Sequence, residues 1–221
     1  MAYKICVTIV EKTPKKLIQA VKKAIKKSNY VEIRFDFLNP SQIPESLELV
    51  KRYLKRSVCT LRPKSEGGKF SGTEKERLAI LKLITEYNPF LLDVEYNTLR
   101  KNNQFTKYIK KSSTDLLVSW HNFKKTPDYS ALNKVLNKMT KFSKNVKIVT
   151  TARSTNDSSR VLSLYNSASK LNLIAFSMGE HGKMSRILCL FLGSPYTYVS
   201  LGKAIAPGQF SLDEIKSVIK I

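Results

Sequence analysis

The sequence predicts an eight-stranded parallel (β/α)8 barrel, built as one domain over residues 1–221. Eight short apolar segments alternate strictly with eight amphipathic segments, which is typical of parallel strands joined by helices. A chain of 221 residues is long enough for one compact barrel of this class. An open doubly wound sheet is the alternative, but no G-x-G-x-x-G pattern follows the first predicted strand.

The predicted strands are short runs of apolar and β-branched residues. They cover Lys4–Val10, Val31–Phe37, Ser57–Arg62, Phe90–Glu95, Leu116–His121, Val146–Thr150, Leu173–Ser177 and Tyr196–Ser200. The predicted helices cover Pro14–Lys27, Pro44–Lys55, Thr73–Glu86, Asn97–Lys110, Tyr129–Phe142, Asn156–Leu171, Lys183–Phe191 and Leu212–Ile221. Helix starts are indicated by Thr13 before Pro14, by the segment from Ser41 to Pro44, and by the capping-box spacing of Ser211 and Glu214.

Positive charge is the most unusual feature of the composition. The chain has 39 Lys and Arg against 17 Asp and Glu, a formal net charge of +22. A basic nucleic-acid-binding protein is therefore one interpretation. The lysines are scattered over predicted outer helix faces, however, and no zinc finger, RNA-recognition signature or basic tail is present. We favour solvated helix faces and expect no nucleic-acid partner, while a positive field would help to collect a small anionic substrate.

The sequence also indicates a compartment. No apolar run approaches the length of about 18 residues that a membrane-spanning helix needs. The first ten residues are typical of a strand and not of a signal peptide. Cys6, Cys59 and Cys189 are far apart and form no C-x-x-C pair, which argues against disulfides and against a zinc site. We expect a cytoplasmic protein with no membrane partner.

Charged side chains interrupt two strands that should be almost entirely apolar in a barrel. Because side chains alternate along a strand, Glu32, Arg34 and Asp36 are predicted on one face of the second strand. Asp93 and Glu95 repeat this pattern on the fourth. An edge strand with a solvated face is one explanation. A charged cluster at the mouth of the barrel, where such enzymes build their sites, is the other.

A glycine-containing loop follows the third predicted strand. The strand ends at Arg62, and the loop carries Glu66 before Gly67 and Gly68. Two glycines allow backbone conformations that other residues rarely adopt, so the loop can fold over a ligand with Arg62 and Glu66 pointing inward. A plain surface loop remains the alternative.

A lysine and a histidine occupy neighbouring strands. His121 closes the fifth predicted strand, and Lys147 lies inside the sixth. Burying a lysine in a strand is costly unless its amine is deprotonated or paired with an opposite charge. Desolvation favours the neutral amine, which is a nucleophile toward a carbonyl. Taken alone, a structural histidine and a lysine that extends to solvent are the ordinary explanations. Together on one face, the two residues supply a nucleophile and a proton shuttle for imine chemistry.

These motifs, in this order along the whole chain, resemble the type I 3-dehydroquinate dehydratases, lyases of the shikimate pathway that leads to chorismate and the aromatic amino acids. The segments that carry the resemblance are Glu32–Asp36, Arg62 with Glu66–Gly68, Ser119–Phe123 with Thr126-Pro127, Lys147, Ser177–Gly179 with Ser185-Arg186, and Ala206–Gln209.

The resemblance implies a role for each candidate residue. Lys147 is expected to form the imine, His121 to act as general base and acid, and Glu66 to hold that histidine. The substrate 3-dehydroquinate is expected to bind through its hydroxyl groups and its carboxylate. The hydroxyl groups are expected to contact Glu32, Arg34 and Arg62, and the carboxylate to contact Arg186. Gln209 is expected to bind the substrate from a lid loop that closes over it.

The resemblance further implies syn elimination of water to 3-dehydroshikimate, the third step of the pathway, with no metal or organic cofactor. A homodimer is one of the assemblies that it allows.

One departure from the family pattern concerns Ile205. Many relatives carry serine at this position, two residues before the proline of the lid motif, so we expect one polar lid contact to be absent. Another Schiff-base barrel enzyme, such as a class I aldolase, shares Lys147 and remains an alternative.

Overall fold

The structure is a computed structural model that describes residues 3–219. Its strands are β1 (Ile5–Ile9), β2 (Tyr30–Arg34), β3 (Ser57–Thr60), β4 (Leu91–Glu95), β5 (Leu116–Asn122), β6 (Asn145–Thr151), β7 (Asn172–Met178) and β8 (Thr197–Ser200). Its α-helices are α1 (Pro14–Ile25), α2 (Ile43–Val50), α3 (Glu74–Glu86), α4 (Tyr96–Lys101), α5 (Asn103–Lys111), α6 (Tyr129–Met139), α7 (Thr155–Leu162), α8 (Ser185–Phe191) and α9 (Leu212–Val218). The eight strands form one sheet in the order β7-β6-β5-β4-β3-β2-β1-β8.

The described residues group into two compact units. The N-terminal unit is Val7–Leu116, and the C-terminal unit comprises the chain from Leu117 onward together with the residues up to Cys6. In the N-terminal unit, β3 pairs in parallel with both β2 and β4. In the C-terminal unit, β6 pairs in parallel with both β5 and β7. Each unit therefore contributes three consecutive parallel strands, and the single domain stays a prediction.

The first helix shows why these segments fold as they do. Thr13 caps α1 by accepting a hydrogen bond from the backbone of Lys16, and Pro14 occupies the first turn, as predicted. The buried residues of α1 recur every three or four positions, and its lysines are exposed. The predicted capping box of α9 is also present, with Ser211 and Glu214 bonding to each other's backbone. The lysine pairs of α1 thus lie on a solvated helix face.

Two predicted elements are interrupted in the structure. β2 stops at Arg34, and Phe35–Phe37 form a 3-10 turn, so Asp36 is not on the strand. The predicted helix Asn97–Lys110 is divided at Asn102, whose φ of -124° and ψ of 74° are not helical. The backbone N–H and the side-chain amide of Asn102 both donate to the carbonyl of Thr98. These local changes of backbone conformation leave no mark on the apolar periodicity.

Other helix ends also differ from the prediction. The predicted segment Ser41–Pro44 does contain the start of α2, with Gln42 as the residue before the helix and Pro44 in its first turn. Gln42 makes no side-chain cap, and Ser41 belongs to a separate 3-10 turn that Asn39 caps. α2 and α7 continue as 3-10 helices over Lys51–Arg56 and Ser163–Ser167. α9 ends at Val218, and the last two residues of the predicted helix lie outside the described part of the chain. Within residues 3–219, no helix is long and apolar enough to cross a bilayer.

Candidate active site

The N-terminal unit holds Glu32 in a fixed position. This carboxylate is buried, and each of its oxygens accepts one hydroxyl hydrogen bond of 3.0 Å, from Thr8 and from Thr60. Thr60 is the last residue of β3 and faces Arg34 in the β2–β3 register. Two hydroxyls near strand ends therefore orient Glu32, and its part in binding a ligand stays a prediction.

Arg34 is paired with Asp36. The Nε and Nη2 atoms of Arg34 donate to the two carboxylate oxygens of Asp36 at 2.8 Å, a bidentate pair. Asp36 also accepts from the backbone N–H of Lys69 in the glycine-containing loop. Burial acts to lower the pKa of Arg34, but the hydrogen bond and charge of Asp36 outweigh it and raise that pKa. The 3-10 turn after β2 thus serves to orient the guanidinium.

Arg62 is the centre of a buried ion network. Its Nη2 atom donates to Asp93 and its Nη1 atom to Glu95, both at 2.7 Å. The other oxygen of Glu95 accepts from Arg77 of α3 at 2.8 Å. Burial opposes the charge on Arg62, but Asp93 and Glu95 raise its pKa above the ordinary arginine value. Arg62 is consequently a permanent cation with a fixed plane, and two of its nitrogens are engaged by protein carboxylates.

Sequence reasoning assigned no role to three residues of this network. Asp93 and Glu95 stand out in the sequence only as charges on the fourth strand, and Arg77 lies unremarked within the predicted helix Thr73–Glu86. Arg77 is in fact 1% exposed, and it also donates to the carbonyl of Leu61 and to Thr98. A lone arginine in an amphipathic helix carries no signal that it faces inward, because only the tertiary fold brings Glu95 to it.

Glu66 lies in the loop that Gly67 and Gly68 shape. Gly67 has a φ of 75°, and a Cβ on Gly68 would stand 1.9 Å from the carbonyl oxygen of Arg62. The Glu66 carboxylate is buried and accepts a 3.2 Å hydrogen bond from Asn97. Burial, and next the charge of Glu95, raise the pKa of Glu66 to about 7, although Arg62 acts in the opposite direction. Glu66 therefore changes its charge near neutral pH.

In the C-terminal unit, Lys147 is embedded in the sheet. It is 6% exposed and lies on β6 between Ser119 of β5 and Ile174 of β7. Its Nζ atom stands 4.0 Å from the centroid of the Tyr198 ring. The lysine does not extend to solvent, so the ordinary explanation offered by the sequence alone does not hold.

His121 shares a sheet face with Lys147. Ser119 is the register partner of Lys147, and His121 is two residues further along β5 on the same face. Its Cα is therefore displaced by about 7 Å along the strand, within reach of a substrate bound to the lysine. The imidazole is half-buried and stacks on Phe123 at 5.9 Å. The predicted partner of His121, Glu66, belongs to the other unit, and that contact stays a prediction.

Arg186 is a buried cation of a different kind. It is 2% exposed at the start of α8, and its Nη2 atom donates to the carbonyl of Pro207 at 3.2 Å. Among residues 3–219, its Nε atom has no hydrogen-bond partner and no carboxylate pairs with its guanidinium. Burial lowers the pKa of Arg186 to about 10. A desolvated guanidinium with an unfilled donor is suited to bind an anion.

The loop between β8 and α9 contacts Arg186 and is internally bonded. Gln209 is buried, and its side-chain oxygen accepts from the backbone N–H of Ile205 at 3.0 Å. Pro207 also accepts a weak bond from Gly179, and a Cβ on Gly208 would stand 2.6 Å from the Gly179 carbonyl oxygen. Ile205 therefore contributes its backbone to the loop, while its side chain supplies no polar group.

Two aromatic rings complete the surroundings of the two cations, and sequence reasoning missed both. The Tyr198 ring underlies Lys147, and the Phe176 ring lies 4.4 Å from the guanidinium carbon of Arg186. Alternation along the strands shows which face each ring occupies, but not that it packs on a cation. Met178, from the segment Ser177–Gly179 that carries the resemblance, is buried at the end of β7. Among the described residues, no group of three or more His, Cys, Asp or Glu could hold a metal ion.

The raised pKa of Glu66 predicts a pH-dependent cost to stability. The unfolded carboxyl titrates near 4.5 and the folded one near 7, so between these values the folded state holds the extra proton. The contribution of Glu66 to stability is therefore least unfavourable below pH 4.5 and becomes more unfavourable as the pH rises through 7. Glu66→Gln should be more stable than wild type by a margin that grows over this window, by up to about 3 kcal/mol, in urea unfolding at several pH values.

Glu76→Gln provides the matched control. The hydrogen bonds that Glu76 accepts from Thr73 lower its pKa, so its contribution is present at neutral pH and is lost as the pH falls. The control should therefore show a small dependence of the opposite sign. Parallel stability curves for wild type and Glu66→Gln from pH 4.5 to 8 would contradict the assignment.

Comparison with solved structures identifies the fold class. A 3-dehydroquinate dehydratase from Geobacillus kaustophilus superposes with a TM-score of 0.88 at 22% identity, covering 98% of this chain and 89% of that chain. The type I enzyme from Clostridium difficile, solved with covalently modified comenic acid, has a TM-score of 0.86 at 25% identity and covers 98% and 91%. The predicted class, eight parallel strands in an α/β barrel, is confirmed.

Comparison of sequences identifies the family. A protein named 3-dehydroquinate dehydratase from Methanococcus maripaludis strain S2 is 36% identical over 220 residues, covering 98% of this chain and 99% of the relative. The family model described as type I 3-dehydroquinase matches residues 5–221. The resemblance inferred from the motifs is thus confirmed, and the chain belongs to the type I 3-dehydroquinase family.

Proposed function

We propose that this chain removes water from 3-dehydroquinate through an imine on Lys147. The family and its named members support the dehydration step. One observation carries the assignment to this residue: an amine buried inside β6, on the sheet face that also carries His121. A buried amine is a competent nucleophile, and an imidazole on the same face can move protons at the carbon next to the imine.

The chemistry follows from these two side chains. The Lys147 amine adds to the C3 ketone, and loss of water from the carbinolamine gives a protonated imine. This cation withdraws electrons from C2, so His121 can remove a C2 proton and then protonate the departing C1 hydroxyl. Hydrolysis of the imine releases 3-dehydroshikimate and returns the amine, and no redox step is involved.

Arg186 is suited to hold the substrate carboxylate. Burial without a protein carboxylate leaves its charge uncompensated, and an incoming carboxylate would supply both the charge and an acceptor for Nε. Glu32, Arg34 and Arg62 are proposed to contact the substrate hydroxyls, each held in place by its own protein partner. Gln209 is proposed to contact the substrate from the lid loop, whose backbone reaches Arg186 through Pro207.

Borohydride trapping tests Lys147. Reduction in the presence of 3-dehydroquinate should attach the substrate skeleton to the peptide that contains Lys147, since only an imine is reduced to a stable amine. Lys147→Met should abolish both the adduct and turnover. Lys183→Met, which removes a lysine half-exposed beside Glu214, should retain both. Mass spectrometry locates the adduct, and an adduct on another lysine would refute the proposal.

The same trapping separates the role of His121. His121→Ala should still form some imine on Lys147 while turnover falls by about 100-fold or more, because the proton transfers lose their catalyst. Near-normal turnover in this variant would remove His121 from the mechanism and leave the imine assignment intact.

Substitution of Arg186 should affect binding and stability in opposite directions. Arg186→Met is expected to raise KM by roughly 100-fold, since a buried charged hydrogen-bond pair with the substrate is lost. The ligand-free variant should nevertheless be more stable than wild type, because an uncompensated buried cation is removed. Arg160→Met, which removes a partly exposed arginine paired with Asp157, is the control and should leave KM unchanged. An unchanged KM in Arg186→Met would contradict the assignment.

We also propose that the protein is a cytoplasmic homodimer. The three cysteines are free and buried, which suits a reducing compartment. An exposed apolar surface around α8 supports self-association. This surface consists of Met184 just before the helix, Leu188 and Phe191 within it, and Leu192 just after it. The segment from residue 187 to 196 carries no charge in a chain of net charge +22, so two copies can meet there with little repulsion.

Sedimentation tests the homodimer. Wild type at micromolar concentration should sediment as a dimer, and Leu188→Glu with Phe191→Glu should sediment as a folded monomer, because each copy brings two charges into the interface. Leu49→Glu, at an exposed leucine of α2, is the control and should remain dimeric. A monomeric wild type would contradict the proposal.

A further inference from the structure

The two buried cations of the C-terminal unit each lie over an aromatic ring. The Nζ atom of Lys147 is 4.0 Å from the centroid of Tyr198, and the guanidinium carbon of Arg186 is 4.4 Å from the centroid of Phe176. The two rings contact each other in a tilted arrangement with their centroids 6.4 Å apart. Lysine, tyrosine, phenylalanine and arginine therefore form a continuous row.

Strand register fixes this row in place. Phe176 of β7 is paired with Val149 of β6, which is on the same face as Lys147, so the Phe176 ring projects beside the lysine. Tyr198 lies on β8, whose start is held by a backbone hydrogen bond from Thr197 to Lys4. Both rings are at most 4% exposed. Burial makes an attraction between a cation and a ring face stronger than it is at a surface.

We propose that Tyr198 is a positioning residue whose ring face holds the Lys147 nitrogen in its cationic forms, the ammonium of the free enzyme and the iminium of the substrate adduct. This inference rests on the proposed function, because it needs Lys147 to form the imine. The ring acts through its negative face, so the role belongs to the aromatic system and not to a proton transfer.

The charge balance of imine formation explains why such a platform is useful. One neutral amine, one ketone and one proton give an iminium and one water, so the lysine nitrogen is cationic in the ammonium and in the iminium and neutral in the amine and carbinolamine between them. The neutral amine and the neutral carbinolamine gain nothing from the ring. Tyr198 therefore favours the cationic adduct over the neutral carbinolamine, and the cationic adduct is the species that draws electrons from the substrate C2.

The face of the Phe176 ring likewise attracts the guanidinium of Arg186, but Arg186 contributes no atom to the reaction. Weakening the Phe176 face should consequently affect the binding of the substrate carboxylate and leave the imine alone. The chain thus provides a matched control for Tyr198: a second buried ring, in contact with the first, under a cation of different function.

Fluorinated phenylalanines at position 198 test the inference. Tyr198→Phe serves as the reference because it keeps the ring and removes the hydroxyl from the comparison. Fluorine withdraws electrons from the ring face with little change of shape, so the attraction for a cation weakens with each fluorine. At alkaline pH, where the species competing with the iminium are the neutral amine and the neutral carbinolamine, the amount of Lys147 adduct trapped by borohydride should fall stepwise, by roughly tenfold for the trifluoro ring.

A second series serves as the control. The same fluorination at Phe176 should raise KM and leave the trapped fraction at saturating substrate unchanged. Thermal unfolding of every variant checks that each is folded before it is compared.

The outcomes separate this inference from the proposed function. No adduct on Lys147 in wild type would refute the proposed imine itself. A wild-type adduct with a flat fluorine series at position 198 would overturn only the role of the Tyr198 ring. Loss of the adduct already in a folded Tyr198→Phe would assign the role to the hydroxyl and would equally overturn the inference.

Discussion

The burial of Arg186 without a protein carboxylate is the constraint on which the candidate site depends. A guanidinium that is 2% exposed has lost its water, and its pKa is lowered to about 10 by that loss. A fold that only needed stability would place an apolar side chain there. The protein instead keeps the cation over the Phe176 ring and ties the lid loop to it through Pro207. The anionic substrate proposed for this site would supply the missing negative charge next to the loop that Arg186 contacts.

The N-terminal unit solves the same physical problem in the opposite way. Its buried guanidiniums, those of Arg62 and Arg77, share the carboxylates of Asp93 and Glu95. The remaining unfavourable interactions, burial and repulsion by Glu95, act on Glu66 and raise its pKa to about 7. A carboxyl held in this state costs stability, which is consistent with the catalytic role predicted for Glu66. The C-terminal unit thus contains a buried cation, Arg186, with no carboxylate partner among the described residues. The N-terminal unit contains buried carboxylates so close together that one of them, Glu66, is harder to ionise.

Much of this arrangement could be predicted from the sequence, because two regular patterns in the sequence determine it. Strict alternation of strands and helices predicts the fold class, and alternation within a strand places Lys147 and His121 on one face. The bends could not be predicted. Asp36 leaves β2 in a 3-10 turn, and Asn102 divides a helix, and both are local changes of backbone conformation with no periodic signature. Contacts between distant side chains, such as Arg77 with Glu95 or Tyr198 with Lys147, depend on the tertiary fold alone.

The central claim is a carbon–nitrogen bond between Lys147 and the substrate, and nuclear magnetic resonance can observe that bond directly. Protein labelled with nitrogen-15 at the lysine side chains would be mixed with 3-dehydroquinate enriched in carbon-13 at C3. The account predicts a new C3 resonance split by a one-bond coupling to nitrogen-15, present in wild type and absent in Lys147→Met. A C3 signal that remains an uncoupled ketone in an actively turning over enzyme would contradict it.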